Sequence, residues 1–423
     1  MDRLFKAAFI LSLCMVSFGY GAAMVFFEWP PYHFLRGQAR DLVILYQQRE
    51  SYLGIDPVRW LRPAHHEGNG VTTKVEDRVQ PGITFVTGFF DSAVSAQLID
   101  FDGKVIHRWI DTKSWDTAEI HGAVPLPDGS VVIVRSGNGL RRLDKCGAEM
   151  WKLDYHAHHS AFLSEDGTLW VSGKRKLKKG DPRLKDLYGI KAPFTEDTAI
   201  QVSLDGKLLQ EFSLVKMLFD AGMEGMLFAS GEDLPGKTFL DDMTHLNDVE
   251  ILQKKDAGAF PMFEAGDAIV SLRNINLLFV FDPKTRNVKW TQTGPWLRQH
   301  DPDFRSDGKI TLYNNRRDGT SRGLRFGGSN IQEIDPLSRR VNILYEGTKD
   351  HIFHSEVLGK HQNLENGNIL ISGGHEGRVF EIDPNGKIVW EFINRYDKDR
   401  VIMTHEGTRL PSDYFKVADW SCN

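Results

Sequence analysis

Histidine recurs in this chain at a fixed distance from a turn: His121, His159 and His300 each stand eight residues before a glycine, Gly129, Gly167 and Gly308, in IHGAVPLPDGSVVIV, HHSAFLSEDGTLWVS and RQHDPDFRSDGKITLY. Three further stretches, THLNDVEIL, GKHQNLENGNILI and MTHEGTRLPSDYF, bring His245, His361 and His405 to comparable points. A neutral imidazole is a nucleophile and a proton carrier, and its charged form binds anions. Asn247 lies two residues after His245, on the same face of an extended strand, and SLRNIN supplies Arg273 shortly afterwards. A guanidinium offers a planar fork that fits the oxygens of sulfate, phosphate or carboxylate, and an amide bonds the same oxygens without charge. One histidine at a strand start commonly bonds neighbouring backbone, and one arginine can serve as a salt bridge between elements. Six histidines in register, with an arginine at hand, are suited to holding or transferring an oxyanion.

Such a set needs a scaffold that repeats, and a second pattern supplies it. Segments of the form L-x-x-D-x-x-G-K-x-x-x-W occur as LIDFDGKVIHRW, RLDKCGAEMW, QVSLDGKLLQEF, VFDPKTRNVKW, EIDPLSRRVNILY and FEIDPNGKIVWEF. Each reads as two strands joined by a tight turn, with an aromatic side chain placed to pack between neighbouring units. From Gly82 onward, short β-rich runs broken by Gly, Asp, Asn and Pro dominate, and SLVKMLFDAGMEGML (213–227) is the main helical candidate. These features predict an all-β fold, a six-bladed β-propeller, with one histidine per blade at the start of the innermost strand. The first blade lacks one strand, and the segment at His405 is expected to return and complete it, closing the ring.

The remaining sequence bounds the setting. With 52 basic and 57 acidic residues among 423, and no dense basic run, no nucleic-acid surface is expected. The run from Ala7 to Phe27 carries no charge and is long enough to span a bilayer as a helix. Arg3 and Lys6 before it predict a cytoplasmic N-terminus and an extracytoplasmic body, with residues 1–30 an uncleaved signal anchor rather than a cleaved leader. Residues 31–81 then read as stalk and linker, and 82–423 as the propeller. Cys14, Cys146 and Cys422 lack metal-ligand spacing, so neither a zinc nor an iron–sulfur site is expected. In an oxidising compartment Cys146 and Cys422 either pair or remain free thiols.

Taken together, the repeat, THLNDVEIL, SLRNIN and RQHDPDF followed by a turn and LYNN resemble the bacterial arylsulfate sulfotransferases, over most of residues 82–410. That resemblance implies an exported enzyme that passes a sulfuryl group from an aryl sulfate to a phenol, with no nucleotide donor and no cofactor. Its inner-membrane attachment would run through the N-terminal helix, with the propeller on the periplasmic side. His300 would be the nucleophile and Arg273 the cation on the sulfuryl oxygens, with His245 catalytic and Asn247 and His159 completing the pocket. His121, His361 and His405 would line the same funnel. As nucleophile His300 must be neutral, so activity is expected to fall as pH drops through the histidine range, about 6.5 before nearby cations lower it. Asn274 stands where the best-known members carry a histidine, residues 174–241 form an insertion, and Arg316 and Arg317 extend the basic character. The alternatives are a propeller that binds an anionic or aromatic ligand without turnover, and a quinone-dependent dehydrogenase. The second is disfavoured by the lack of an adjacent cysteine pair or a calcium-binding acidic cluster.

Overall fold

The computed structural model describes residues 2–53, 56–112, 119–190, 192–228, 242–348 and 351–422. It divides into two compact units, Met1–Arg59 and Trp60–Asn423. The first unit is helical, with helices Asp2–Phe26, Tyr32–Gln47 and Arg49–Tyr52. Within it, Arg3–Phe26 is long and apolar enough to cross a membrane. A helix suits that solvent because every backbone polar group in its interior is satisfied within the segment.

The second unit is a six-bladed β-propeller of antiparallel sheets, five with four strands and one with five. The innermost strands, in order around the ring, are Thr404–Leu410, Ile120–Pro125, His156–Leu163, Leu246–Ile251, His300–Phe304 and Lys360–Asn363. Blade one is closed as the sequence predicts: Thr404–Leu410 pairs with Ile83–Phe90, which removes the open edge between the ends of the chain. Two strands lie within the stretch read as linker. Leu61–Pro63 pairs with Arg400–Ile402, and Gly70–Lys74 adds the fifth strand to blade six.

The D-x-x-G repeat forms the outer hairpin of every blade, and its aromatic residue joins that blade to the next. Trp109 Nε1 donates to the Gly129 carbonyl at 3.0 Å, Trp151 to Leu204 at 2.7 Å, Trp290 to Pro336 at 3.1 Å and Trp390 to Phe101 at 3.0 Å. The last of these ties blade six to blade one. Phe212 and Tyr345 have no indole donor and pack instead on Phe281 and Phe380 of the following blade, with ring centroids 5.6 and 5.7 Å apart. One apolar cluster fills each space between neighbouring blades, so the core is a ring of six wedges. Its axis is left to polar side chains.

The helical candidate at 213–227 forms two short helices, Leu214–Asp220, capped by Ser213, and Glu224–Phe228. Gly222, at φ +67°, takes the left-handed turn between them. Residues 174–241, read as an insertion, contain the outer hairpin of blade three, Phe194–Ser203 paired with Leu208–Ser213, and the first of these also pairs along its whole length with Thr168–Leu177. Leu187, Ile190, Leu214, Val215 and Leu218 from this stretch are buried in the wedge between blades three and four. Residues 229–241 of the insertion lie outside the described residues. Cys146 and Cys422 form a disulfide, with Cα atoms 5.6 Å apart and 276 residues between them in sequence. It fixes the C-terminal tail to the outer turn of blade two and restricts the unfolded chain.

Candidate active site

Five inner strands depart from regular pairing close to their histidines. Pairing slips between Thr404 and Glu406, Ile120 and Gly122, Ala157 and Ala161, Leu246 and Asp248, and His300 and Asp303. An extra residue bends a strand and re-aims its side chains, which is how an inner strand can present polar groups to the axis. His159, His245 and Asp301 have positive φ, at +55°, +53° and +56°. A non-glycine residue held there costs about 1–3 kcal/mol, and such strain gathers at functional sites. Blade six differs: Lys360–Asn363 pairs without a slip. His361 therefore does not join the others. Its Nδ1 bonds Asp301 at 2.9 Å and its Nε2 bonds Thr311 at 2.7 Å.

The axial chamber, a narrow cavity of about 20 Å³, is lined by His121, His159, His300 and His405 together with Asn247 and the charged residues Asp248, Asp301 and Lys360. His245 and Arg273 are not among the residues that line this chamber. Arg273 belongs to a short helical turn after the strand Ala268–Leu272, not to the strand itself, and its backbone N–H donates to the His245 carbonyl at 3.0 Å. The blades carrying His245 and His300 are neighbours in the ring.

The hydrogen bonds assign the tautomers. Asn315 donates from Nδ2 to the carbonyls of Ser355 and Leu358, at 2.8 and 2.6 Å, so its Oδ1 must accept the bond from His300 Nδ1, at 2.6 Å. The His300 proton is thereby held on Nδ1. Nε2 keeps a free lone pair, is buried, and has no hydrogen-bond partner among the described residues. Burial, with the Arg273 charge second, pulls the His300 pKa down to about 3. His405 has a similar arrangement, with Nδ1 donating to the Ile120 carbonyl at 2.5 Å and Nε2 unpartnered. Its surroundings differ in sign, because Glu119 lies 3.9 Å from Nε2. Glu119 also accepts from His121 Nε2 at 3.1 Å, which leaves His121 Nδ1 to accept the His159 backbone N–H at 3.4 Å. One side of the ring is thus anionic and the side of Arg273 and His300 cationic.

A chain of polar groups links the cationic side to solvent. Asp242 accepts from His245 Nδ1 and from Lys174, and His245 Nε2 in turn accepts from His159 Nε2 at 2.9 Å. Burial is the main cause that holds His245 below its ordinary pKa, so it is neutral and available as a base. Burial lowers the Arg273 guanidinium to about 10, which leaves it charged at neutral pH. Its Nε is buried without a partner, and Asn247 Oδ1 is likewise unpartnered while Nδ2 donates to the Gln299 carbonyl at 2.6 Å. Unsatisfied buried groups of this kind are what an absent ligand would leave.

Below the histidines, Lys360 Nζ lies 3.0 Å from Asp301 and 3.7 Å from Asp248. Burial pushes Asp248 up to about 6, Glu250 up to about 8 and Glu406 up to about 7. Asp301, Asp303 and His361 form the grouping among the described residues whose ligand atoms come close enough for a metal ion. The Lys360 ammonium already neutralises Asp301, and burial with the Asp301 charge raises the Asp303 pKa well above the usual carboxylate range. The donor set is therefore a poor cation site.

Asp242, Asn315, Asn274 and Arg298 were not among the candidates drawn from the sequence. Asn315 carried a signal, as the second asparagine of LYNN. Asp242, three residues before His245, carried only the weak one of a carboxylate near a histidine.

Six blades with imidazoles and a guanidinium gathered at the axis define a propeller whose functional groups converge where the inner strands begin. The chain belongs to the arylsulfotransferase (ASST) family, whose model matches residues 122–395. No curated protein matches it. Among solved structures, a protein of unknown function from Bacteroides caccae is similar at 14% identity and a TM-score of 0.48, covering 77% of this chain and 99% of that one. TolB from Acinetobacter baumannii is similar at 13% identity and a TM-score of 0.44, covering 78% and 68%. A streptogramin B lyase is similar at 11% identity and a TM-score of 0.42, covering 80% and 88%.

Proposed function

We propose that the protein transfers a sulfuryl group from an aryl sulfate to a phenol through a sulfohistidine on His300. The observation that carries the reading is the tautomer lock: Asn315 fixes the His300 proton on Nδ1 and leaves the Nε2 lone pair unpartnered on the cationic side of the ring. In the first half-reaction Nε2 attacks sulfur, an N–S bond forms, and the S–O bond breaks with its electron pair on the phenolate. The ring's new positive charge is balanced by the attached sulfonate. Arg273 holds the sulfuryl oxygens, where charge-assisted bonds also favour the transition state. In the second half-reaction the acceptor phenol gives its proton to the His159–His245 pair, and Asp242 stabilises the imidazolium that results, as a carboxylate does for a catalytic histidine. Its oxygen then attacks sulfur and restores neutral His300. Two displacements at one site require ping-pong kinetics.

His405 is the less suitable nucleophile because Glu119 beside it repels an anionic donor. His121, Asn247 and His405 line the chamber and His361 supports its floor. The N-terminal helix, with Arg3 and Lys6 on the cytoplasmic side, would hold the propeller at the periplasmic face of the inner membrane. Rapid mixing with para-nitrophenyl sulfate tests the chemistry: a burst of one nitrophenol per protein is expected. Binding without phenol release, for any aryl sulfate supplied, would instead make the propeller a ligand-binding scaffold. Protease applied to spheroplasts should cut the propeller or its linker, and full protection would contradict the orientation.

A further inference from the structure

A single sulfuryl group needs one guanidinium, and the site has more than one. Asn274 Oδ1 accepts from Arg298 Nη1 and lies 3.5 Å from Arg273 Nη2, while Asn274 Nδ2 donates to the Asp242 carbonyl at 2.5 Å. One amide oxygen therefore holds two guanidiniums side by side. Arg298 has no freedom to leave, because its backbone has φ +61° and its N–H donates to Asn276 Oδ1 at 2.8 Å. The next chain segment adds a third charge: Arg316 N–H donates to the Leu297 carbonyl at 3.0 Å, which sets exposed Arg317 beside Arg298. Among the described residues no carboxylate pairs with Arg273, Arg298 or Arg317. Burial is the first cause that lowers the pKa of both Arg273 and Arg298; the Arg317 charge lowers each further, behind Arg298 in the case of Arg273, and the Asp242 carboxylate opposes the shift in both. Like charges gathered in this way repel one another; the Asp242 carboxylate, already shared by His245 and Lys174, offsets part of that cost, and a bound anion would offset more.

We propose that Arg298 and Arg317, aligned by Asn274 beside Arg273, form a second anion-binding subsite that recognises a carboxylate or second sulfate on the aromatic ring of the substrate. This rests on the reading of Arg273 as the sulfuryl-binding cation. It gives Asn274 a role: where a histidine follows the arginine in the best-known relatives, here an amide oxygen brings a second guanidinium into position. The preferred donors and acceptors would then be aromatic acids rather than simple phenols.

Aryl sulfonates test the subsite without turnover, because their sulfur is bound to carbon and cannot be transferred. The full-length protein would be titrated calorimetrically, at low and at physiological salt, with para-carboxybenzenesulfonate and para-methylbenzenesulfonate. The carboxylated ligand is expected to bind at least tenfold more tightly, with a preference that weakens as salt rises. Arg298→Gln should remove most of the preference, and Arg317→Ala, at an exposed position that leaves the fold unstressed, should remove part of it. Equal affinities for the two ligands, or variants that weaken both equally, would overturn the proposal. Preference retained by a protein that releases no phenol from any aryl sulfate would leave the subsite standing and remove the transferase reading. Turnover without preference would do the reverse.

Discussion

Replacing Asn315 with alanine should slow sulfuryl transfer to His300 about twofold without unfolding the propeller. The side chain makes three bonds: two from Nδ2 to the carbonyls of Ser355 and Leu358 and one to His300 Nδ1. The first two determine which way the amide points, so the third must hold the proton on Nδ1 and the lone pair on Nε2. A buried neutral hydrogen bond contributes about 0.5–1.5 kcal/mol, and that is the preference lost when the two tautomers become free to exchange. A preference of about 1.4 kcal/mol keeps about ten imidazoles in eleven in the reactive tautomer, and without it about half remain, so the population of reactive imidazole falls about twofold. Each carbonyl left unpaired costs a further 1–3 kcal/mol of stability or so, unless water enters the vacated space. The assay is a rapid-quench burst with para-nitrophenyl sulfate, with thermal melting as the control for folding. Asn315→Asp extends it, because a carboxylate at that position would raise the His300 pKa from about 3 and charge the ring. A folded Asn315→Ala protein with the wild-type burst rate would show that the tautomer lock plays no part in the reaction.

Further outcomes follow from the same geometry. Arg273→Lys keeps the charge but not the planar fork, so affinity for an aryl sulfonate should fall at least tenfold, and unchanged affinity would remove Arg273 from the site. Asp242→Asn should slow the acceptor half-reaction about 100-fold, in the usual range for general-base assistance, and more for weakly acidic phenols than for nitrophenol; equal losses for all acceptors would contradict the base assignment. Because the folded-state pKa of His300 is about 3, the burst with para-nitrophenyl sulfate should persist from pH 8 down to about 4, and a midpoint at 6.5 would contradict a buried neutral nucleophile. Glu250 is raised in the fold to about 8, so the stability it contributes is present below its ordinary value and lost as pH rises through 8. Glu250→Gln should flatten that alkaline decline in melting temperature, and an unchanged decline would place the charge elsewhere.

The ring itself was readable because it depends on local signals repeated six times. Tight polar turns, four of the six with a glycine, and outer aromatics mark the hairpins, and the strand missing from blade one pointed to the one carrying His405. What the sequence hid is how each inner strand meets the axis. Period-two alternation treats His361 as the equal of His300, but slips in pairing decide orientation, and Lys360–Asn363 alone among the inner strands has none. A bulge depends on the partner strand, so a single strand's residues do not reveal it. Partners that act through one hydrogen bond, such as Asp242 and Asn315, lie 3 and 15 residues from their histidines and are selected by folding rather than by motif.

The central claim is that His300 carries the sulfuryl group, and the most direct measurement is to find it there. Full-length protein would be mixed with an aryl sulfate, quenched at alkaline pH to preserve a sulfohistidine, digested and mapped by mass. The expected result is one added SO₃ on the peptide containing His300, absent from His300→Ala. An adduct on His405 or another residue, or phenol release with no adduct at any time point, would contradict it.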